Sequence, residues 1–207
     1  MKIGIIASRG GTNFEAIVQS TIDGILKDKA EVVVLISNKA GAFCIERAKR
    51  LGIPHHIVES DNFKGTREEF DQKLIEILSK YQCDLIALAG YTRLVSEPFI
   101  DKFKGLVLNT HPSLLPSFKG LHAVRDALDY GVKISGCTIH FVDVKCDHGP
   151  IIIQKSVPVY DTDTEEMLAI RIMEWEKKAY SKAIELICDN NVNTHGRIVK
   201  IDDKVEF

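Results

Sequence analysis

The tightest constraint on how this chain can fold is a set of short strand-like runs that lack polar alternation. Within residues 2–7, 31–37, 84–89 and 106–109, apolar residues follow one another, with polar residues only at the ends. Successive side chains of a strand point to opposite faces. Runs of this kind are therefore buried on both sides, as in a parallel sheet covered by helices. The intervening segments supply the helices. Residues 13–25 carry Phe14, Ile17, Val18, Ile22 and Ile25 at helical spacing, and residues 42–51 read as a second helix. Residues 66–81 carry Phe70, Leu74, Ile77 and Leu78, with Thr66 and Glu69 forming a capping box. Residues 54–58 add a short strand. The reading is α/β: a doubly wound, mostly parallel sheet with a Rossmann-like N-terminal half.

The pattern changes in the second half. Residues 121–129 are helical in spacing. Residues 136–144 and 151–159 are β-rich and flank Asp147-His148-Gly149-Pro150, which predicts an antiparallel pair and hence a mixed-sheet C-terminal half. Thr162 and Glu165 form a further capping box. A long C-terminal helix follows over residues 167–188, with a stripe of Leu168, Ile172, Trp175, Ala179, Ala183 and Leu186. Residues 197–207 alternate and suggest a hairpin. At 207 residues, against about 100–200 per domain, the chain reads as one domain with halves of about 1–105 and 106–207.

Composition excludes several classes. Lys plus Arg number 27 and Asp plus Glu 29, a net charge of −2, which argues against a dedicated nucleic-acid binder. The longest apolar runs are five residues, where a membrane span needs about 20. The N-terminus enters a strand pattern at once, which predicts no signal peptide. Cys44, Cys83, Cys137, Cys146 and Cys188 are odd in number, with no C-x-x-C pair. That predicts neither disulfides nor a zinc knuckle, and favours the cytoplasm.

Ligands of open α/β sheets bind beyond the carboxyl ends of strands. Three segments stand there: residues 8–13, 89–96 and 109–120. Ser8-Arg9-Gly10-Gly11-Thr12-Asn13 opens a helix and offers backbone N–H groups to an anion. It is neither a Walker loop nor a G-x-G-x-x-G fingerprint, and a phosphate monoester suits it. The same residues also read as an ordinary helix start, with Thr12 and Glu15 as a capping box. In Asn109-Thr110-His111-Pro112-Ser113-Leu114-Leu115-Pro116, strand period two puts Asn109 and His111 on one face. An amide donor beside an imidazole suits a reaction in which a carbonyl oxygen gains charge. Taken alone, the pair reads rather as a structural Asn and His satisfying each other at a turn. Asp147 could orient His111, or serve as a plain turn residue. His55 and His56 read as loop residues, His140 as a structural strand histidine and Cys146 as a bystander. The histidines lack metal spacing, so no metal is expected.

Taken together, residues 8–13, Ala89-Gly90-Tyr91-Thr92-Arg93, the 109–116 run and Asp147 ahead of Gly149-Pro150 resemble the folate-dependent formyltransferases. The match is closest to the phosphoribosylglycinamide formyltransferase (glycinamide ribonucleotide transformylase) family of purine biosynthesis, over essentially the whole chain. The resemblance implies transfer of a formyl group from 10-formyltetrahydrofolate to the amine of glycinamide ribonucleotide through a tetrahedral intermediate. It implies that Asn109 holds the formyl oxygen, that His111 is the acid/base, and that Asp147 pairs with His111 and assists proton transfer. Gly11, Thr12 and Asn13 would bind the phosphate. Glu176 would bind the ribose hydroxyls, with Met173, Glu174 and Trp175 in the same stretch. Arg67, Thr92, Arg93, Leu94, Val95, Asn109, Asp143, Val144, Lys145, Cys146 and Asp147 would contact folate. The implied partners are small molecules, with no nucleic acid and no membrane, and the chain is expected as a monomer or homodimer.

Two positions depart from the resemblance: His148 stands where glycine is common, and Val124 where some relatives carry a second histidine. Within the wider family, methionyl-tRNA formyltransferase adds a C-terminal RNA-binding domain and formyltetrahydrofolate hydrolase an N-terminal regulatory one. The extent of this chain and its slight acidity favour neither. A non-catalytic nucleotide- or folate-binding module would have no need of Asn109, His111 and Asp147 together.

Overall fold

The structure, a computed structural model, describes residues 1–201. The chain forms two compact units, Met1–Asn109 and Thr110–Phe207. In the first, β1 (Lys2–Ala7), α1 (Thr12–Asp23), β2 (Glu31–Ser37), α2 (Phe43–Leu51), β3 (His55–Ile57), α3 (Arg67–Lys80), β4 (Leu85–Leu88) and α4 (Glu97–Lys102) alternate. β5 (Val107–His111) then carries the chain across the unit boundary. β1 pairs in parallel with β2 and β4, β2 with β3, and β4 with β5, giving the order β3-β2-β1-β4-β5. The winding reverses between β1 and β4, so the loops after these strands flank the crevice where such sheets take ligands. A hydrogen bond from Thr92 N–H to Ser8 Oγ, 3.2 Å, joins those two loops.

Ile3, Ile5 and Ile6 of β1 are fully buried, as the absence of alternation requires. Gly4 sets how closely α3 can approach. A Cβ there would lie 2.5 Å from Leu78 Cδ2 and 2.9 Å from Cys83 Sγ. The expected capping box of α3 is present: Thr66 Oγ1 accepts from Glu69 N–H at 3.2 Å, and Glu69 Oε2 accepts from Thr66 N–H at 2.7 Å.

The second unit contains α5 (Ala123–Tyr130), the antiparallel pair β6 (Ile134–Phe141) and β7 (Ile151–Pro158), α6 (Glu165–Cys188), and a hairpin of β8 (Val192–His195) and β9 (Ile198–Ile201). The 24-residue α6 buries Leu168, Ile172, Ala179, Ala183 and Leu186, and packs on β6 and β7. It ends in a Schellman motif. Asn190, at φ 57°, donates to Ile187 O, and Asn191 N–H donates to Leu186 O at 2.9 Å. Among the described residues no helix is long and apolar enough to cross a membrane.

The structure corrects several local expectations. Thr12 and Glu15 form no capping box, because α1 starts from left-handed Gly11 and Glu15 instead pairs with Arg47 and Arg50. The cap of α6 is Thr164, which accepts from Met167 N–H at 3.2 Å. Thr162 precedes the helix in a turn, in which Asp163 accepts from Tyr160 N–H. Trp175 is 39% exposed and leaves the apolar stripe, as Ile22 and Ile25 leave theirs. β6 ends at Phe141 rather than 144, since Phe141 N–H closes the 142–149 loop by donating to Pro150 O. The short α4 carried no periodic signal. The hairpin begins at Val192, earlier than expected, and residues 202–207 lie outside the described residues.

Gly4→Val is expected to cost about 1–3 kcal/mol by overpacking the α3 interface, read from the denaturant midpoint. Asp163 makes a bidentate pair with Arg171, 2.7 Å at each oxygen, which holds its carboxyl down at about 2. A depressed carboxylate stabilises above its unfolded value, about 4, and loses that contribution as pH falls through its folded value. Asp163→Asn should therefore lower the urea midpoint at neutral pH, and the difference from the parent chain should vanish towards pH 2.

Candidate active site

The loop before α1 turns on a glycine. Gly11 has φ 76°, and a Cβ there would lie 2.5 Å from Cys44 Cβ and 2.9 Å from Cys44 Cα, so both conformation and space require glycine. The loop is held from α2, where Cys44 N–H donates to Arg9 O at 3.1 Å and Arg47 Nε to Gly10 O at 2.9 Å. No side chain caps α1. Its N-cap residue is Gly11, which has no side chain to offer the first turn.

Asn109 and His111 stand two residues apart on β5, so strand alternation turns both to one side. Side chains of β6 and β7 hold the loop that follows. Buried Thr138 on β6 donates its hydroxyl to Ser113 O at 2.7 Å and accepts from Leu115 N–H at 3.1 Å. Gln154 on β7 donates to Leu115 O at 2.9 Å and to Thr138 Oγ1 at 3.0 Å. His111 is 3% exposed, and its Nε2 lies 2.7 Å from Phe118 O. Its Nδ1 lies 3.4 Å from Asp147 Oδ2. The ring thus faces an acceptor at each nitrogen, and can donate to both only when it carries both protons.

Asp147 gathers the second unit's polar groups. Its Oδ2 also accepts from Gly120 N–H at 2.9 Å and from the Cys146 thiol at 3.2 Å. Burial and the Asp147 carboxylate push that thiol up to about 11, which keeps it a protonated donor. His140, read from sequence as a structural residue, lies with Nε2 3.9 Å from Asp147 Oδ1. Burial lowers its basicity, and its Nδ1 lies 2.7 Å from Phe141 O. Sequence offered no signal for this neighbour, because His140 and Asp147 meet only through the closed 142–149 loop.

The remaining predicted residues separate. Glu176 is buried and accepts from Thr110 Oγ1 at 3.0 Å, so it is not a solvated helix residue. Met173 shares its face of α6. Glu174 is exposed with Lys177, and Trp175 lies beneath Lys155 and Lys178. In the 91–96 loop, Thr92 bonds Ser8, Arg93 lies 4.5 Å over the Phe70 ring, Leu94 is exposed and Val95 is buried. Buried Asp71 on α3 accepts from Ser96 N–H at 2.6 Å and fixes the end of this loop; sequence reasoning had not singled it out. Arg67 is exposed at the start of α3. Val144 and Lys145 are exposed, while Asp143 accepts from Lys145 N–H. A cavity of about 780 Å³ opens beside the anion loop, lined by Ser8, Arg9, Asn38, Phe43, Glu59 and Phe63 among others, though by none of Gly11, Thr12 and Asn13. Among the described residues no group of three or more His, Cys, Asp or Glu side chains is arranged to hold a metal ion.

Comparison with known proteins gives this arrangement a context. Residues 1–184 match the formyl transferase family. Phosphoribosylglycinamide formyltransferase of Escherichia coli (strain K12) is 36% identical over 202 residues, covering 98% of this chain and 94% of that protein. The enzyme of that name from Bacillus subtilis (strain 168) is 39% identical, covering 92% and 96%. The crystal structure of glycinamide ribonucleotide transformylase 1 from Symbiobacterium toebii matches with a TM-score of 0.94 and 43% identity, covering 98% of this chain and 94% of that one. The chain spans only 19% of the length of another relative, the trifunctional purine biosynthetic protein adenosine-3 of Gallus gallus, at 42% identity. With its sheet, its anion loop and its Asn109-to-Pro116 run all falling inside the matched region, the chain belongs to the formyl transferase family.

Proposed function

We propose that this protein transfers a formyl group from 10-formyltetrahydrofolate to the amine of glycinamide ribonucleotide, a step of purine biosynthesis. The observation that carries the reading is the carboxylate of Asp147 at 3.4 Å from His111 Nδ1, in a family member whose β5 also bears Asn109. Folate supplies the formyl carbon. The substrate amine attacks that carbon, and the Asn109 amide donates to the oxygen as it gains charge. His111 gives a proton to the departing folate nitrogen, and Asp147 stabilises the ring while it is doubly protonated. The proton lost by the attacking amine passes out through Asp147 and water.

The ends of the substrates follow from the same residues. The N–H groups at Gly11, Thr12 and Asn13, at the start of a helix whose N-cap brings no side-chain hydrogen bond, suit a phosphate dianion. Glu176, buried and hydrogen-bonded by Thr110, suits the ribose hydroxyls, with Met173 beside it. For Glu174 and Trp175 the structure offers no such support. Folate is assigned to Arg67, residues 92–95, Asn109 and residues 143–147.

The first test is folate deformylation followed by absorbance, with and without glycinamide ribonucleotide. Turnover that requires the ribonucleotide is expected, and turnover without any acceptor would point instead to a hydrolase. His111→Ala should lose about 10²–10⁴-fold in turnover, with ribonucleotide affinity by calorimetry nearly unchanged. Near-normal turnover would remove His111 from the mechanism. Gly11→Ala should weaken ribonucleotide binding while sparing that of folate.

A further inference from the structure

The backbone of the loop that carries Asp147 has little freedom. Asp147 has φ 46°, in the left-handed region, and a Cβ at Gly149 would collide with the Phe141 carbonyl. Backbone of this kind persists only where the surroundings over-determine it. Part of the restraint is internal: Asp143 accepts from Lys145 N–H at 2.9 Å, and its Oδ2 lies 2.5 Å from His148 Nδ1. The rest comes from the C-terminal hairpin. Arg197 Nη1 donates to the His148 carbonyl at 2.6 Å and lies 3.1 Å and 3.2 Å from Nε2 and Nδ1 of its ring. The guanidinium nitrogen thus lies over the His148 ring, whose Nδ1 side meets Asp143, and the three side chains pack as one cluster.

The hairpin is constructed to deliver this contact. The Schellman end of α6 turns the chain directly into β8, and β9 packs on β7. Gly196, at φ 60°, and Arg197 form the two-residue turn. The family match ends at residue 184, before the hairpin begins.

We propose that Arg197 is a positioning residue for formyl transfer: by gripping the His148 carbonyl it holds Asp147 in the backbone geometry that presents its carboxylate to His111. This rests on the role given above to Asp147. His148, which departs from the expected glycine, then has a purpose, since its ring links Asp143 to Arg197.

The test compares the full chain with Arg197→Ala and Arg197→Lys, by amide hydrogen exchange and steady-state kinetics. The amide of Gly120 is the direct reporter, because it donates to Asp147 Oδ2. In Arg197→Ala, the amides of Gly120 and of residues 143–149 should exchange faster, and kcat should fall about tenfold. KM for the ribonucleotide should stay within about twofold, and the unfolding temperature should hold. Arg197→Lys, which keeps a cationic donor, should recover most of both losses. Unchanged exchange at Gly120 in the Ala variant overturns the proposal, as does faster exchange with parental kcat. Failure of the parent chain to transfer formyl would instead remove the proposed reaction, and Gly120 exchange would still decide whether Arg197 fixes Asp147.

Discussion

Burial of β1 on both faces is the constraint from which the rest of the first unit follows. A strand flanked in parallel by β2 and β4 cannot turn back through a hairpin, so the chain must leave each carboxyl end and return by a helix. That puts the loops after β1 and β4 side by side at the reversal of winding. It also puts the first N–H groups of α1 at the end of the central strand. Two glycines adjust the fit: Gly4 lets α3 lie close on the sheet, and Gly11 lets the anion loop lie against Cys44.

In the second unit the organising group is a carboxylate. Asp147 accepts from Gly120 N–H and the Cys146 thiol, faces His111, and has buried His140 on its other oxygen. A loop residue can hold such a position only if the loop itself is fixed. Here it is fixed by the closure between Phe141 and Pro150, by Asp143 and by Arg197. Thr138 and Gln154 do the same for the loop that follows His111. Both loops are thus tied back to the β6–β7 pair, which α6 covers.

Much of this was legible in the residues. Unalternating apolar runs identified the parallel strands, and the Thr66–Glu69 box located the start of α3. The spacing of Asn109 and His111 put them on one face because the period of a strand is two. Less legible were features that depend on competition between partners. Thr12 and Glu15 have the spacing of a capping box, yet two arginines of α2 draw Glu15 away. Thr162 and Thr164 both precede acidic residues, yet Thr164 caps the helix while Asp163 between them pairs with Arg171.

The sequence by itself determined the period of each element, the glycines where no side chain fits, and a run of residues shared with formyl transferases. These are local properties, encoded within a few positions. Tertiary structure alone decided that Asp147 reaches His111, that Glu176 is buried under Thr110, and that His140 and Arg197 belong to the surroundings of Asp147. Most of these contacts join residues far apart in the chain, and His140 meets Asp147, seven residues on, only because the loop between them closes. Hydrogen bonding and burial at such distances depend on where packing brings the loops, which no local spacing encodes.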